Sequence, residues 1–284
     1  MSADKLIQKL IEMKNPTIAG LDPLAEYLPA SMIKSDNLHD KAQAILAFNK
    51  ALIDVLCDIV GAVKPQSAYY ELLGWEGIRV LHETIIYAQN KGMYVVVDGK
   101  RNDIGSTAEA YAKAYFETFG ADGLTVNGYL GTDGIKPFIS AEKMIFALVK
   151  TSNKSSGDLQ DLKLENGITV YEQMGQLVNN WGSEFIGKCG YSNVGAVIGA
   201  TYPEQLAEMR EKLPNTFFLV PGYGAQGAGA KDIKGAFTKG LGAVINSSRA
   251  IMCAYKQQNL PAEKFAEAAR IEAVRMRDEI NSVI

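Results

Sequence analysis

Asp98, Lys100 and Asp103 follow a run of β-branched residues in Val95-Val96-Val97-Asp98-Gly99-Lys100-Arg101-Asn102-Asp103. Side chains two apart on a strand share a face, so Asp98 and Lys100 point the same way where a buried strand stops, and Asp103 falls in the turn beyond. Ser106, with Glu109 three residues on, fits a capping box that opens a helix, which puts the polar cluster in a strand-to-helix loop. Nearby negative charge favours a lysine ammonium over the neutral amine. A Schiff-base lysine needs the neutral amine, so Lys100 reads instead as a proton donor, or as a fixed positive charge facing developing negative charge. A surface ion cluster without chemistry fits the same spacing.

A second group of residues has the makings of an anion site. Gly222-Tyr223-Gly224-Ala225-Gln226-Gly227 formally matches GxGxxG. It follows the seventh predicted strand rather than the first, and Ser247 stands where a ribose-binding acid belongs, so a dinucleotide fingerprint is the poorer reading. Glycine-freed amides can turn toward an anion, and Ser248 and Arg249 open the next helix, where the arginine fork can take phosphate at two points. Barrels build phosphate cups from the loops after strands seven and eight, where both features fall. The bland alternative is a glycine turn beside a surface arginine.

The elements that must position these groups are legible as alternating strands and helices. Strands are predicted at residues 17–21, 61–63, 93–98, 123–126, 144–149, 194–198, 217–220 and 243–245. Helices are predicted at 3–13, from Asp36-Asn37 through Ile45, Phe48, Leu52 and Val55, and over about 71–90, with Gly92 as C-cap. Others follow from Ser106, at 134–140, 170–181 and 203–212, and from Pro261 onward, where Ala262, Phe265, Ala269, Ala273, Met276 and Ile280 mark a buried stripe. Residues 154–167 are polar and suit an exposed excursion. Eight strands alternating with helices, without a linker-like break, favour a single (β/α)8 TIM barrel over residues 1–284. Residues 1–14 form a helical extension that covers its bottom, and 261–282 a C-terminal helix. Asp22, Lys64, Asp98, Lys100, Ser152, Gln226 and Arg249 all fall at or just after the C-terminal ends of different strands, the face on which barrel enzymes place their chemistry. That convergence favours function over ornament.

The remaining composition narrows the classes. A formal net charge of −3 over 284 residues shows no basic footprint for nucleic acid. The first 14 residues are too charged for a signal peptide and no run approaches a membrane span, so a cytoplasmic protein is expected. Cys57, Cys189 and Cys253 lack metal or disulfide spacing and read as buried packing residues; His39 and His82 are isolated and read as helix caps or packing groups. Tyr69, Tyr70, Trp75 and Trp181 read as core or interface aromatics. Lys150 fits either the mouth of the site or a packed stem with a solvated head.

Asp98-x-Lys100-x-x-Asp103, the strand-ending Lys64, the loop PGYGAQGA and Arg249 together resemble the orotidine 5′-monophosphate decarboxylases. The stretches DGKRNDIGSTA, LVKTSNKSS and PGYGAQGA look like the larger, second-type bacterial branch, and the likeness runs from Gly20 to Arg249. DxKxxD alone is shared with sugar-phosphate decarboxylases of the same barrel superfamily. The resemblance implies loss of CO2 from a pyrimidine nucleotide to give UMP, with no cofactor and no metal. It implies that Lys100 protonates C6 and that Lys64, Asp98 and Asp103 complete the charge array. Asp22 would bind the ribose, Ser152 or its neighbour Thr151 the pyrimidine, and Gln226 and Arg249 the phosphate. It further implies a homodimer in which Asp103 and Thr107 are lent across the interface, with no nucleic-acid or membrane partner. A Schiff-base aldolase on the same barrel and a non-catalytic nucleotide-phosphate binder are the competing readings.

Overall fold

The computed structural model describes residues 1–224 and 228–284. Eight parallel strands close in sequence order into a barrel: β1 (Thr17–Leu21), β2 (Ala62–Pro65), β3 (Tyr94–Arg101), β4 (Gly123–Val126), β5 (Met144–Lys150), β6 (Val194–Ile198), β7 (Phe218–Val220) and β8 (Ala243–Ser247), with β8 pairing back onto β1. Helices fill the connections, so the fold is the expected (β/α)8 barrel. Its strands are buried on both faces, which is why they stand out in the sequence as short apolar runs.

Alternation along the strands divides the core in two. Ile18, Ala62, Val96, Phe146, Leu219 and Val244 fill the interior, while Ala19, Val63, Val95, Val97, Ile145 and Ile245 pack outward against the helices. The helix Ser2–Glu12 adds Leu6, Ile7 and Leu10 to the interior cluster and so closes the bottom; the Ala3 N–H donates to Asn193 Oδ1 at 2.8 Å. The interior parity continues past each strand's apolar stretch, from Ile18 through Gly20 to Asp22, from Ala62 to Lys64, from Val96 to Asp98, and from Val244 through Asn246 to Ser248. Gly20 is required there, because a Cβ would lie 1.9 Å from Ser248 Oγ.

Two register slips interrupt this regularity. Val97 pairs with Leu124 and Arg101 with Val126, so Asp98, Gly99 and Lys100 stand opposite the single residue Thr125. Leu148 pairs with Val197 and Lys150 with Ile198, so Val149 is the extra residue in β5.

Several local expectations are corrected. The helix expected over about 71–90 is Gly74–Asn90, entered where Gly74 takes a φ of +60°, and a short helix, Ser67–Glu71, precedes it unforeseen. The capping box at Ser106 and Glu109 does not form. The helix Gly105–Lys113 begins two residues earlier, with the extended Ile104 rather than Ser106 at its N-cap and no side-chain cap, which leaves Ser106 inside the first turn. A capping box does open the helix Val170–Gly182, between Thr169 and Glu172. Pro261 precedes a short 3-10 turn, Ala262–Lys264, before the helix Phe265–Asn281.

Candidate active site

A cavity of about 660 Å³ opens at the C-terminal ends of the strands. Asp22, Lys64, Asp98, Lys100, Ser152 and Arg249 all line it, brought from β1, β2, β3, β5 and β8 by the interior parity and the loops beyond. At its floor Lys64 Nζ donates to Asp98 Oδ2 at 2.9 Å, and Lys100 Nζ donates to Asp98 Oδ1 at 2.5 Å. Lys64 is buried, whereas the Lys100 side chain keeps 45% of its surface open. One carboxylate therefore holds two ammonium groups, one sealed below and one presented to the cavity.

Burial alone would push the Asp98 carboxyl up, but the charges and hydrogen bonds of Lys64 and Lys100 outweigh it and hold the group far below the ordinary value of 3.8. Burial would likewise push Lys64 down, and the Asp98 and Asp22 carboxylates reverse that, leaving it above 10.5. A lowered carboxylate stabilises the fold fully above its unfolded value and loses that contribution as pH falls through its folded value. The raised lysine contributes fully below 10.5 and loses its contribution only above that value. The pair is therefore at full strength at neutral pH. Below about pH 4 wild-type stability should fall more steeply than that of Asp98→Asn, which lacks this titration; parallel urea-unfolding curves for the two proteins from pH 5 downward would argue against it.

The model of the Orotidine 5'-phosphate decarboxylase / HUMPS family matches residues 18–262. The chain belongs to that family. An orotidine 5'-phosphate decarboxylase from Clostridium perfringens is 41% identical over 289 residues, spanning 100% of this chain and 99% of the relative. The Clostridium acetobutylicum protein of the same name is 41% identical and covered in full on both sides. Among solved structures, OMP decarboxylase from Leishmania donovani superposes with a TM-score of 0.79 at 32% identity, covering 99% of this chain and 98% of that one. The family resemblance and the enzyme class it carried, a carboxy-lyase, are borne out by these relatives.

Set against the family pattern, the expected residues do not all gather. Asp103 and Thr107 are absent from the cavity lining; Asp103 caps the Ile104 N–H at 2.8 Å and Thr107 is exposed. Gln226 lies outside the described residues. Both Thr151 and Ser152 reach the cavity, so the alternative between them stays open in the geometry.

Lys150 is settled by the slip in β5. Continued alternation would have put it inside, but the extra residue sends it outward with Ile198, where it is 1% exposed. Lys150 Nζ donates to Asp161 Oδ1 at 2.6 Å and lies 5.0 Å from the centre of the Tyr202 ring. It is an anchor for the 154–167 excursion, which is largely exposed, as its polarity suggests, apart from the buried Ser156 and the half-buried Gly157 and Gln160. Gln160 lines the cavity and grips Thr151 through the Thr151 N–H and hydroxyl, at 2.9 and 2.8 Å.

Other lining residues escaped the sequence reading. Thr125 is the interior-facing residue of β4, a position the strand's parity could have revealed. Asn246 carries the β8 parity into the cavity, and its Oδ1 is buried without a hydrogen-bond partner among the described residues, as is Asp22 Oδ1. Of the paired tyrosines only Tyr70 is core; Tyr69 lines the cavity. Cys57, Cys189 and Cys253 are only half-buried rather than core, and His39 Nδ1 meets Glu76 Oε1 at 2.7 Å.

Proposed function

We propose that this protein converts orotidine 5'-monophosphate to UMP and CO2 in de novo pyrimidine synthesis. The observation that carries the reading is a cavity-facing ammonium, Lys100, fixed by Asp98 in the same pocket as Arg249. Breaking the bond between C6 and the carboxylate leaves the electron pair on a ring carbon with no adjacent carbonyl to absorb it. A held positive charge is what that developing carbanion needs, and the same ammonium supplies the proton that completes UMP. Lys100, left neutral, regains its proton from water. The chemistry calls for no metal and no organic cofactor.

The other roles follow position by position. Arg249 and the glycine-rich loop take the phosphate, Asp22 the ribose hydroxyls, Ser152 or Thr151 the pyrimidine, and Lys64 keeps Asp98 charged. A cavity of about 660 Å³ suits one nucleotide. Asp103 and Thr107, outside their own cavity, complete the site of a partner in a homodimer. Leu72, Trp75, Ile104, Tyr129 and Leu130 are exposed in the segments that follow β2, β3 and β4, apolar side chains that a second copy would cover. No helix among the described residues is long and apolar enough to cross a membrane, which agrees with a cytoplasmic enzyme.

The aldolase reading loses its second candidate amine, since Lys150 is turned away from the cavity. The binding-protein reading gives no reason for a lysine held by an acid at the floor. Purified protein mixed with orotidine monophosphate and EDTA should show the absorbance change of conversion to UMP. No change, with or without added divalent metal, would sink the proposal.

A further inference from the structure

The strand slip that presents Lys100 has a lock. Lys100 takes a φ of +47°, the left-handed region that favours glycine, and does so between Gly99 and Arg101 where the β3–β4 ladder is interrupted. A backbone held there needs its surroundings to hold it. The hydroxyl of Thr125 is the group placed to do so. It accepts from the Lys100 N–H at 2.9 Å and donates to Asp98 Oδ1 at 2.7 Å, the same oxygen that receives Lys100 Nζ at 2.5 Å.

These contacts form a closed ring. It runs from the Lys100 amide through the Thr125 hydroxyl to the Asp98 carboxylate, and back along the Lys100 side chain to its own main chain. A hydroxyl is the smallest group that can accept from one side and donate to the other, so valine, of nearly the same shape, breaks both links. Thr125 is 1% exposed, which leaves water little access to replace them. The carboxylate would then lose one of its three donors and be free to turn, and the Lys100 amide would lose its acceptor.

We propose that Thr125 is a positioning residue for the reaction, holding Lys100 and Asp98 in register so that the ammonium meets C6 rather than the cavity wall. The inference rests on the decarboxylase reading. It adds a residue from the strand opposite the charge array, whose effect passes entirely through Lys100 and Asp98.

The test compares the full-length wild type with Thr125→Val and Thr125→Ser, measuring kcat and KM for orotidine monophosphate and the affinity for UMP. A displacement of about 1 Å in a reacting group can cost on the order of 100-fold, so Thr125→Val should lower kcat by roughly 10- to 100-fold. KM and UMP affinity should stay within about threefold, because phosphate and ribose are held elsewhere. Thr125→Ser keeps the hydroxyl and should recover kcat to within about threefold of wild type. A wild-type kcat in the valine variant, an equal loss in valine and serine variants, or a loss confined to KM would each overturn the proposal. If valine prevents folding, Thr125→Ala, which also lacks the hydroxyl but adds no methyl against the carboxylate, is judged by the same criteria. If neither variant folds, loss of kcat in a folded Thr125→Ser protein overturns it and recovery supports it. A wild type inactive on orotidine monophosphate would instead remove the decarboxylase reading itself.

Discussion

Lys100→Ala should turn over orotidine monophosphate at least about 10⁴-fold more slowly than wild type while binding UMP with nearly unchanged affinity. That loss corresponds to roughly 5.5 kcal/mol of transition-state stabilisation. The asymmetry follows from where the groups sit. Arg249, Asp22 and Ser152 line the cavity independently of Lys100 and would still hold the product, whereas Lys100 is the ammonium that Asp98 presents to the opening. Single-turnover kinetics and a UMP titration measure the two quantities separately, and turnover near the wild-type rate would reject the mechanism. The same variant tests the shared site. Mixed with Asp103→Ala protein, itself expected to be inactive, it should regain about a quarter of wild-type activity, because half the re-formed dimers would be hybrids with one intact site. Mixtures that stay inactive after subunit exchange would confine Asp103 to its own chain.

Lys64→Met should cost about 3–5 kcal/mol of unfolding free energy, because it leaves a buried carboxylate with one of its two charge partners gone. Lys100 remains beside Asp98, so the lower end of that range is expected. The double variant Lys64→Met/Asp98→Leu should recover most of the stability, since no uncompensated charge then remains below the cavity. It should not recover activity, because Lys100 has lost the carboxylate that orients it. Urea unfolding of the three proteins checks the stability, and the decarboxylation assay the function. A Lys64→Met protein as stable as wild type would show that the pair contributes nothing net to the fold.

These two residues illustrate what could be read without coordinates. Val96 and Asp98 lie on one face of β3 because side chains two apart point the same way, and Ala62 and Lys64 share a face of β2 for the same reason. Strand ends converge in a closed barrel, so polar residues at those ends meet with no knowledge of their contacts. Local signals failed where alternatives were close in free energy. Ser106 and Glu109 have the spacing of a capping box, yet the chain turned into its helix two residues sooner, at Gly105. The short helix Ser67–Glu71, ahead of the one that begins at Gly74, carried too few turns for periodicity to show it.

Residue types and their two-residue rhythm by themselves determined the barrel, its polar rim and the lysine-carboxylate pairing, because burial on both strand faces leaves little other order for such runs. Tertiary structure alone decided that Lys150 faces away from the cavity, that Thr125 ties Lys100 to Asp98, and that Gln160 folds back to the cavity from the excursion after β5. Each of these depends on how one strand slips against its neighbour or how a loop folds back. Such pairings are set by packing between segments far apart in the chain, and one residue of slip reverses which way a side chain points.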